Sequence, residues 1–292
     1  MRASRLLAGT VAALAAVAAT ATAVTAATGT STARAIPAVR RPAAPPPVRY
    51  VALGDSYSAG AQAGAAAGCA RSADAYPALW ARRHAAASFT SVACAGATTS
   101  GVLRQQVGAL SAGTTLVSIT VGGNDAGFSQ VMQACVLEVW NSGCLGAVAS
   151  AEAFIARTLP GRLDATLRAI RARAPAASIV VLGYPDLYDL SRSADCIGLA
   201  TAKRAALDQG AGLLDRALSA AAARNGDVFA DVRPDFDGHE ICDSGSWLHA
   251  VTFPFGNSYH PTGNGQEDGY LPAFTAAAGG AIRAQPEQGS RP

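Results

Sequence analysis

Three residues of this chain could carry out acyl transfer: a serine, an asparagine and a histidine, each set behind a turn. Ser56 follows the apolar run 48–53 through Gly54-Asp55. Asn124 follows Gly122-Gly123 after a second apolar run, and His260 lies in Ser258-Tyr259-His260-Pro261. A serine hydroxyl becomes a nucleophile only beside a base, and the imidazole supplies one. A glycine pair lets backbone approach a ligand closely, and the asparagine amide then offers N–H donors to a developing oxyanion. Gly96, in Cys94-Ala95-Gly96-Ala97, could add a main-chain N–H. The chemistry that uses this set is hydrolysis of a carboxylic ester.

Each residue has a plainer alternative. Ser56 could cap a helix, Asn124 could close an Asn-Asp turn, and His260 could be an ordinary loop residue held extended before proline. The motif Gly-x-Ser-x-Gly is absent, because Ser58 stands where its second glycine would be. This argues against an α/β-hydrolase elbow.

Such residues need strand ends to hold them. Five short apolar runs read as strands: 48–53, 89–93, 115–121, 178–182 and 227–231. The third and fourth are rich in β-branched residues and free of charge, as buried parallel strands are. A helical stripe of Phe154, Leu159, Leu163, Leu167 and Ile170 runs through 152–173, with Pro160 a potential kink. A second runs over 202–225 and ends at Asn225-Gly226. Strands alternating with helices predict a parallel sheet covered on both faces. The stretch 135–149 fits neither pattern and reads as a loop or short helix pinned by a local disulfide.

The 292 residues, 50% hydrophobic and 15% charged, suffice for one sizeable α/β domain. Residues 1–35 read as an export signal: Arg2 and Arg5, a long uncharged stretch, then small-residue sites, with cleavage expected after Ala35. Residues 36–48, with five prolines, read as a stiff linker, 49–284 as the folded domain and 285–292 as a polar tail. Three of the 23 basic residues lie in the leader, and the remaining 20 equal the 20 acidic ones. That balance gives no sign of a nucleic-acid partner. The six cysteines, Cys69, Cys94, Cys135, Cys144, Cys196 and Cys242, predict three disulfides in an exported chain, and order along the chain favours neighbours. Their spacing suits zinc poorly.

Taken together, Gly54-Asp55-Ser56, Gly96, Gly122-Gly123-Asn124-Asp125 and His260, in that order and each after an apolar run, resemble the SGNH, or GDSL, hydrolase family over Tyr50 to about Ala284. Val51 to Ser58, Arg71-Ser72, Tyr76-Pro77 and Ser258 to Pro261 resemble its secreted actinobacterial lipases and phospholipase A1-type esterases. The resemblance implies a three-layer α/β/α sandwich with a five-stranded parallel sheet. It implies Ser56 as nucleophile, His260 as base, and an oxyanion hole from the N–H groups of Ser56 and Gly96 and the Asn124 side chain. It also implies cysteines paired in sequence order.

One departure matters. The family usually has aspartate three residues before the histidine, and Asn257 stands there. The resemblance then implies a Ser-His dyad, with the main-chain carbonyl of Ser258 orienting His260. The expected protein is a secreted, monomeric esterase that needs no metal or cofactor, acts on lipid or small-molecule esters and touches lipid surfaces transiently. Its rivals are a carbohydrate O-deacetylase and, because of Asn257, an inactive binding module on the same fold. The segments 60–68 and 127–150 are expected to set acyl length, and Trp247 and His249 either to border the substrate cleft or to pack within their loop.

Overall fold

The five apolar runs form one parallel sheet in the computed structural model, which describes residues 47–138, 140–192, 198–253 and 255–283. The strands are β1 (Arg49–Gly54), the short pair β2 (Ala66–Ala67) and β3 (Arg71–Ser72), then β4 (Ser88–Ser91), β5 (Leu116–Thr120), β6 (Ser178–Leu182) and β7 (Val228–Ala230). The large sheet has the order β4-β1-β5-β6-β7, while β2 and β3 form a separate antiparallel ribbon. Every residue of β5 and β6 is buried, as their uncharged sequences require. The chain runs from β1 out to the edge strand β4 and returns to β5 on β1's other side. This reversal opens a crevice beyond the carboxyl ends of β1 and β5, where such sheets bind ligands.

Nine α-helices lie among the described residues, besides short 3-10 and π turns: α1 (Ser56–Ala59), α2 (Tyr76–Arg83), α3 (Thr99–Gly101), α4 (Phe128–Leu137), α5 (Asn141–Arg157), α6 (Leu159–Arg173), α7 (Thr201–Asn225), α8 (Arg233–Phe236) and α9 (Leu271–Arg283). Helices α2 and α9 pack together on one layer, and α6 with α7 on the other. Tyr50 of β1 meets Trp80 of α2 and Phe274 of α9 at ring separations of 5.5 and 5.4 Å. Opposite, Leu159, Leu163, Leu167 and Leu218 are fully buried from α6 and α7. The arrangement is the expected α/β/α sandwich.

Two expectations change. The stripe over 152–173 is two helices that meet at Thr158, with Pro160 at the second position of α6. There its missing N–H is one of the first-turn donors that lack an intrahelical acceptor anyway, so the ring starts a helix rather than kinking one. The stretch 135–149 is helical on both sides of a break after Glu138, stapled by Cys135–Cys144. Cys69–Cys94 forms as well. The third expected pair lies outside the described residues through Cys196, as do the leader, most of the linker and the tail.

Candidate active site

Glycine is obligatory where β1 ends. Gly54 has φ +121°, and a Cβ there would lie 2.4 Å from the Thr120 carbonyl oxygen. Gln106 brackets this peptide, accepting from Gly54 N–H at 2.7 Å and donating to its carbonyl at 2.9 Å. The chain then turns into α1. Asp55 caps that turn, its Oδ1 accepting from Tyr57 N–H at 3.0 Å. Ser56 is the first helical residue, and its own N–H has no acceptor among the described residues.

The loop after β4 carries Gly96. Cys69–Cys94 anchors it, and Ala95 N–H donates to Cys69 O at 3.0 Å. Gly96 has φ +80°, and its N–H likewise meets no acceptor among the described residues. Asn124 lies in the turn after β5 and spends one side-chain N–H on Ala97 O at 3.1 Å, which leaves the other for a ligand. Its neighbour Asp125 accepts from Thr99 N–H at 2.7 Å and Thr99 Oγ1 at 2.6 Å, tying the Asn124 turn to the Gly96 loop.

His260 comes from the far end of the chain. His249 and residues 259–260 exchange main-chain bonds of 2.9 and 2.8 Å, holding this loop as a short antiparallel pair. Tyr259 takes φ +64°, an uncommon conformation for a bulky residue and one that costs about 1–3 kcal/mol. It is held there at both ends: its carbonyl accepts from Tyr57 O–H at 2.5 Å, and its hydroxyl bonds Tyr188 O–H at 2.7 Å. Tyr57 and Tyr259 are the neighbours of Ser56 and His260, so one buried bond spans the 202 residues between the two elements.

These elements meet in one place. Ser56, Gly96, Asn124, Ser258 and His260 all line a single cleft of about 170 Å³. Burial pushes the His260 pKa below the usual histidine value; the Asn257 carbonyl opposes that shift, the His249 charge adds to it, and the Ser258 carbonyl opposes it again. The ring is therefore neutral at neutral pH and free to accept a proton. Its Nδ1 lies 3.4 Å from the Asn257 carbonyl. The expected orienter is the Ser258 carbonyl; the main-chain carbonyl that bonds Nδ1 is that of Asn257, with that of Ser258 acting on the ring more weakly. The Asn257 side chain is engaged elsewhere, accepting from Gln62 Nε2 at 3.1 Å.

A second cavity, of about 90 Å³, opens from the same serine. Phe128 and Asn124 border both spaces. Beyond them the second is walled by apolar side chains, among them Val148, Ile155, Leu207 and Leu214, with Tyr184 at its side.

Some expectations do not hold. Segment 60–68 borders neither space, although the 127–150 region supplies walls to both. Trp247 does not border the cleft; it stacks on His239 at 3.6 Å. His249 is not a wall residue either, and its Nε2 bonds Gln62 O at 3.1 Å. Sequence reasoning overlooked Tyr57, Tyr184 and Tyr259. Tyr184 follows the end of β6 in Gly183-Tyr184-Pro185, a turn signal like those that marked the other blocks.

The sequence profile of the GDSL-like lipase/acylhydrolase family matches residues 52–267. The chain is 49% identical to a lipase of Streptomyces rimosus over 232 residues, 78% of this chain and 86% of that protein. It is equally similar to lipase 1 of Streptomyces coelicolor over 234 residues, with the same coverage. Among solved structures it resembles phospholipase A1 from Streptomyces albidoflavus, at TM-score 0.77 and 48% identity over 80% of this chain and 100% of that one. It also resembles the extracellular lipase of S. rimosus, at TM-score 0.76 and 48% identity over 79% and 99%. Sequence and structure agree from the first strand to the last loop: the chain belongs to the GDSL-like lipase/acylhydrolase family.

Proposed function

We propose that this ester hydrolase is a secreted serine lipase that cleaves acyl esters of lipids through a Ser56–His260 dyad. The observation that carries the reading is the meeting of Ser56, Gly96, Asn124 and His260 in one cleft that continues, at Ser56, into an apolar cavity. The lipases of S. rimosus and S. coelicolor and the S. albidoflavus phospholipase A1 are consistent with it.

The steps follow from the atoms present. Neutral His260 takes the proton of Ser56 Oγ through Nε2 as the oxygen attacks the ester carbonyl carbon. The carbonyl π electrons move onto oxygen, and the N–H groups of Ser56, Gly96 and Asn124 receive that charge; losing one such donor typically costs about 10²–10³ in rate. The carbonyl reforms as the C–O bond to the alcohol breaks, and the imidazolium returns its proton to the departing alkoxide. Water repeats the sequence on the acyl-serine and releases the acid. The Asn257 carbonyl, 3.4 Å from Nδ1, would orient His260 as a carboxylate does in an Asp-containing triad, though without its charge, and this supports an active site despite the Asn257 departure. The acyl chain lies in the apolar cavity and the alcohol portion in the more polar cleft beside His260.

Leu137 and Trp140 follow the cleft residue Val136 and are 60% and 78% exposed. Val251 and Phe253, 42% and 84% exposed, flank Thr252, whose N–H and carbonyl both bond the cleft residue Ser258. Two apolar rims of this kind suit transient contact with a lipid surface, and interfacial tryptophan is favoured there.

A series of p-nitrophenyl esters from acetate to palmitate, beside acetylated xylan and phosphatidylcholine vesicles, tests the reading. Each methylene entering the cavity contributes about 0.8 kcal/mol, so kcat/KM should rise roughly fourfold per CH₂ until the cavity is full. Best turnover of acetate together with deacetylation of xylan would replace it with a carbohydrate O-deacetylase, and no turnover of any ester with an inactive binding module.

A further inference from the structure

Asp55 is 2% exposed, borders the apolar cavity rather than the cleft, and bonds a cage of hydroxyl groups. Its Oδ1 accepts from Thr120 Oγ1 at 2.7 Å as well as from Tyr57 N–H. Its Oδ2 accepts from Tyr184 O–H at 2.5 Å. Tyr184 is a wall of the apolar cavity. Thr120 Oγ1 continues through Ser58 and Tyr76 to Ser118 and Tyr50, with steps of 2.8, 3.0, 3.3 and 2.6 Å. One carboxylate thus closes a hydroxyl network on one side and braces the cavity wall on the other.

Resting on the serine-esterase reading, we propose that Asp55, with Tyr184, is a positioning residue for Ser56: its ionised carboxylate fixes the Tyr57 amide, leaves the Ser56 N–H as the amide turned to the oxyanion, and holds the cavity wall at a set distance from the nucleophile. The charged form accepts all three donors at once. The neutral acid turns one acceptor oxygen into a donor, so Tyr184 O–H must give up its bond to Asp55 and turn to another acceptor. A hydrogen bond to a carboxylate is also the stronger kind.

The ionisation state of Asp55 changes within the accessible pH range. Burial raises its pKa to about 6, against the lowering effect of Tyr184, then Thr120, then the Tyr57 amide. The groups that face it are Tyr57 from α1, Thr120 from β5, Tyr184 after β6, Tyr76 from α2 and Tyr270 ahead of α9, all hydroxyl-bearing. The nearby carboxyl group is Asp215 of α7, which bonds the Tyr184 N–H at 2.9 Å and whose charge acts on Tyr57 and Tyr270. No cation bonds Asp55 among the described residues. Acid should therefore titrate two groups needed for turnover, His260 and Asp55, and the acid limb of log kcat should steepen toward a slope of two.

The test measures kcat and KM for p-nitrophenyl butyrate from pH 4.5 to 8.5 in the full chain and in Tyr184→Phe and Asp55→Asn, with circular dichroism as the folding control. Tyr184→Phe removes one donor and leaves the ring, so the Asp55 carboxyl should titrate higher and the acid limb should move upward by about half a unit or more. KM should stay within about twofold while kcat falls roughly tenfold at pH 6 and recovers in part by pH 8. Asp55→Asn should lower kcat about 10–100-fold at every pH and reduce the limb to a slope of one. A Tyr184→Phe enzyme with the wild-type limb overturns the proposal even if Asp55→Asn fails to fold. So does a folded Asp55→Asn enzyme with wild-type kcat. Failure of the esterase reading itself would show separately, as wild-type protein that turns over no ester at any pH.

Discussion

Tyr57→Phe removes one oxygen and should separate Ser56 and His260, the proposed nucleophile and base, without touching either. The lost bond joins Tyr57 O–H to the Tyr259 main-chain carbonyl at 2.5 Å, between residues that are 4% and 1% exposed. The carbonyl left without that donor costs about 1–3 kcal/mol. Tyr259 adds to the effect, because its φ of +64° persists only while its surroundings hold it. For a domain of this size each kcal/mol lowers Tm by roughly 2–4 °C, so the melting point should fall by about 2–12 °C. The ring keeps its contacts with Tyr184 at 4.9 Å and His260 at 5.6 Å, so the fold should survive. Activity should fall further than stability suggests. A displacement of the imidazole from the serine that raises the barrier by about 1.4–2.8 kcal/mol costs roughly 10–100-fold in kcat. KM for a short soluble ester should remain within about twofold, because the apolar side chains that would hold the acyl group, such as Val148, Ile155, Leu207 and Leu214, keep their places. The assay is steady-state hydrolysis of p-nitrophenyl butyrate beside a melting curve. A variant with lowered Tm and undiminished kcat would refute the reasoning, since the bond would then serve the fold alone.

The remaining predictions concern the base, the cavity and the rim. Asn257→Ala should keep activity within about tenfold while His260→Ala loses about 10³-fold or more, because main-chain carbonyls survive side-chain truncation; steady-state rates of both variants decide it. The kcat/KM profile should climb with pH, with its midpoint below 6.5, because a base works only when neutral and burial lowers the pKa of His260; a profile highest at pH 4 would contradict this. Ala211→Leu narrows the cavity from α7 and should move the preferred acyl chain two or more carbons shorter, with acetate turnover unchanged, as a chain-length series would show. Replacing both Trp140 and Phe253 with serine should lower vesicle sedimentation and hydrolysis of vesicular lipid about tenfold or more, while soluble butyrate is cleaved at the wild-type rate.

The strands of the large sheet were legible as short, mostly apolar runs, and β6 fell on its expected residues, 178–182, whereas β2 and β3, two residues each, carry no such run. The Ser56, Gly96 and Asn124 blocks were legible because a strand end followed by glycine or a chemically distinctive residue is a local pattern, and His260 because it is one of only four histidines, set before a proline. What stayed hidden is tertiary. The 135–149 stretch conceals two helix segments because Cys135–Cys144, joining residues nine apart, lets the chain break and resume helix at once. Trp247 looked available to a substrate, yet its ring is spent on His239 and Phe236. The histidine orienter depends on how a φ-positive Tyr259 turns the loop, which no side-chain pattern reports. The network that Asp55 closes draws on β1, β5, α1, α2 and the turn after β6, and only the fold brings those together.

The central claim is that Ser56 forms a covalent acyl intermediate. Its most direct test is reaction of the protein with a fluorophosphonate ester, followed by peptide mass spectrometry. The account predicts one phosphonyl group per chain, on Ser56, loss of esterase activity in step with labelling, and no labelling in Ser56→Ala or His260→Ala over the same period. A label on another residue, or a Ser56→Ala protein that still hydrolyses ester at the wild-type rate, would contradict it.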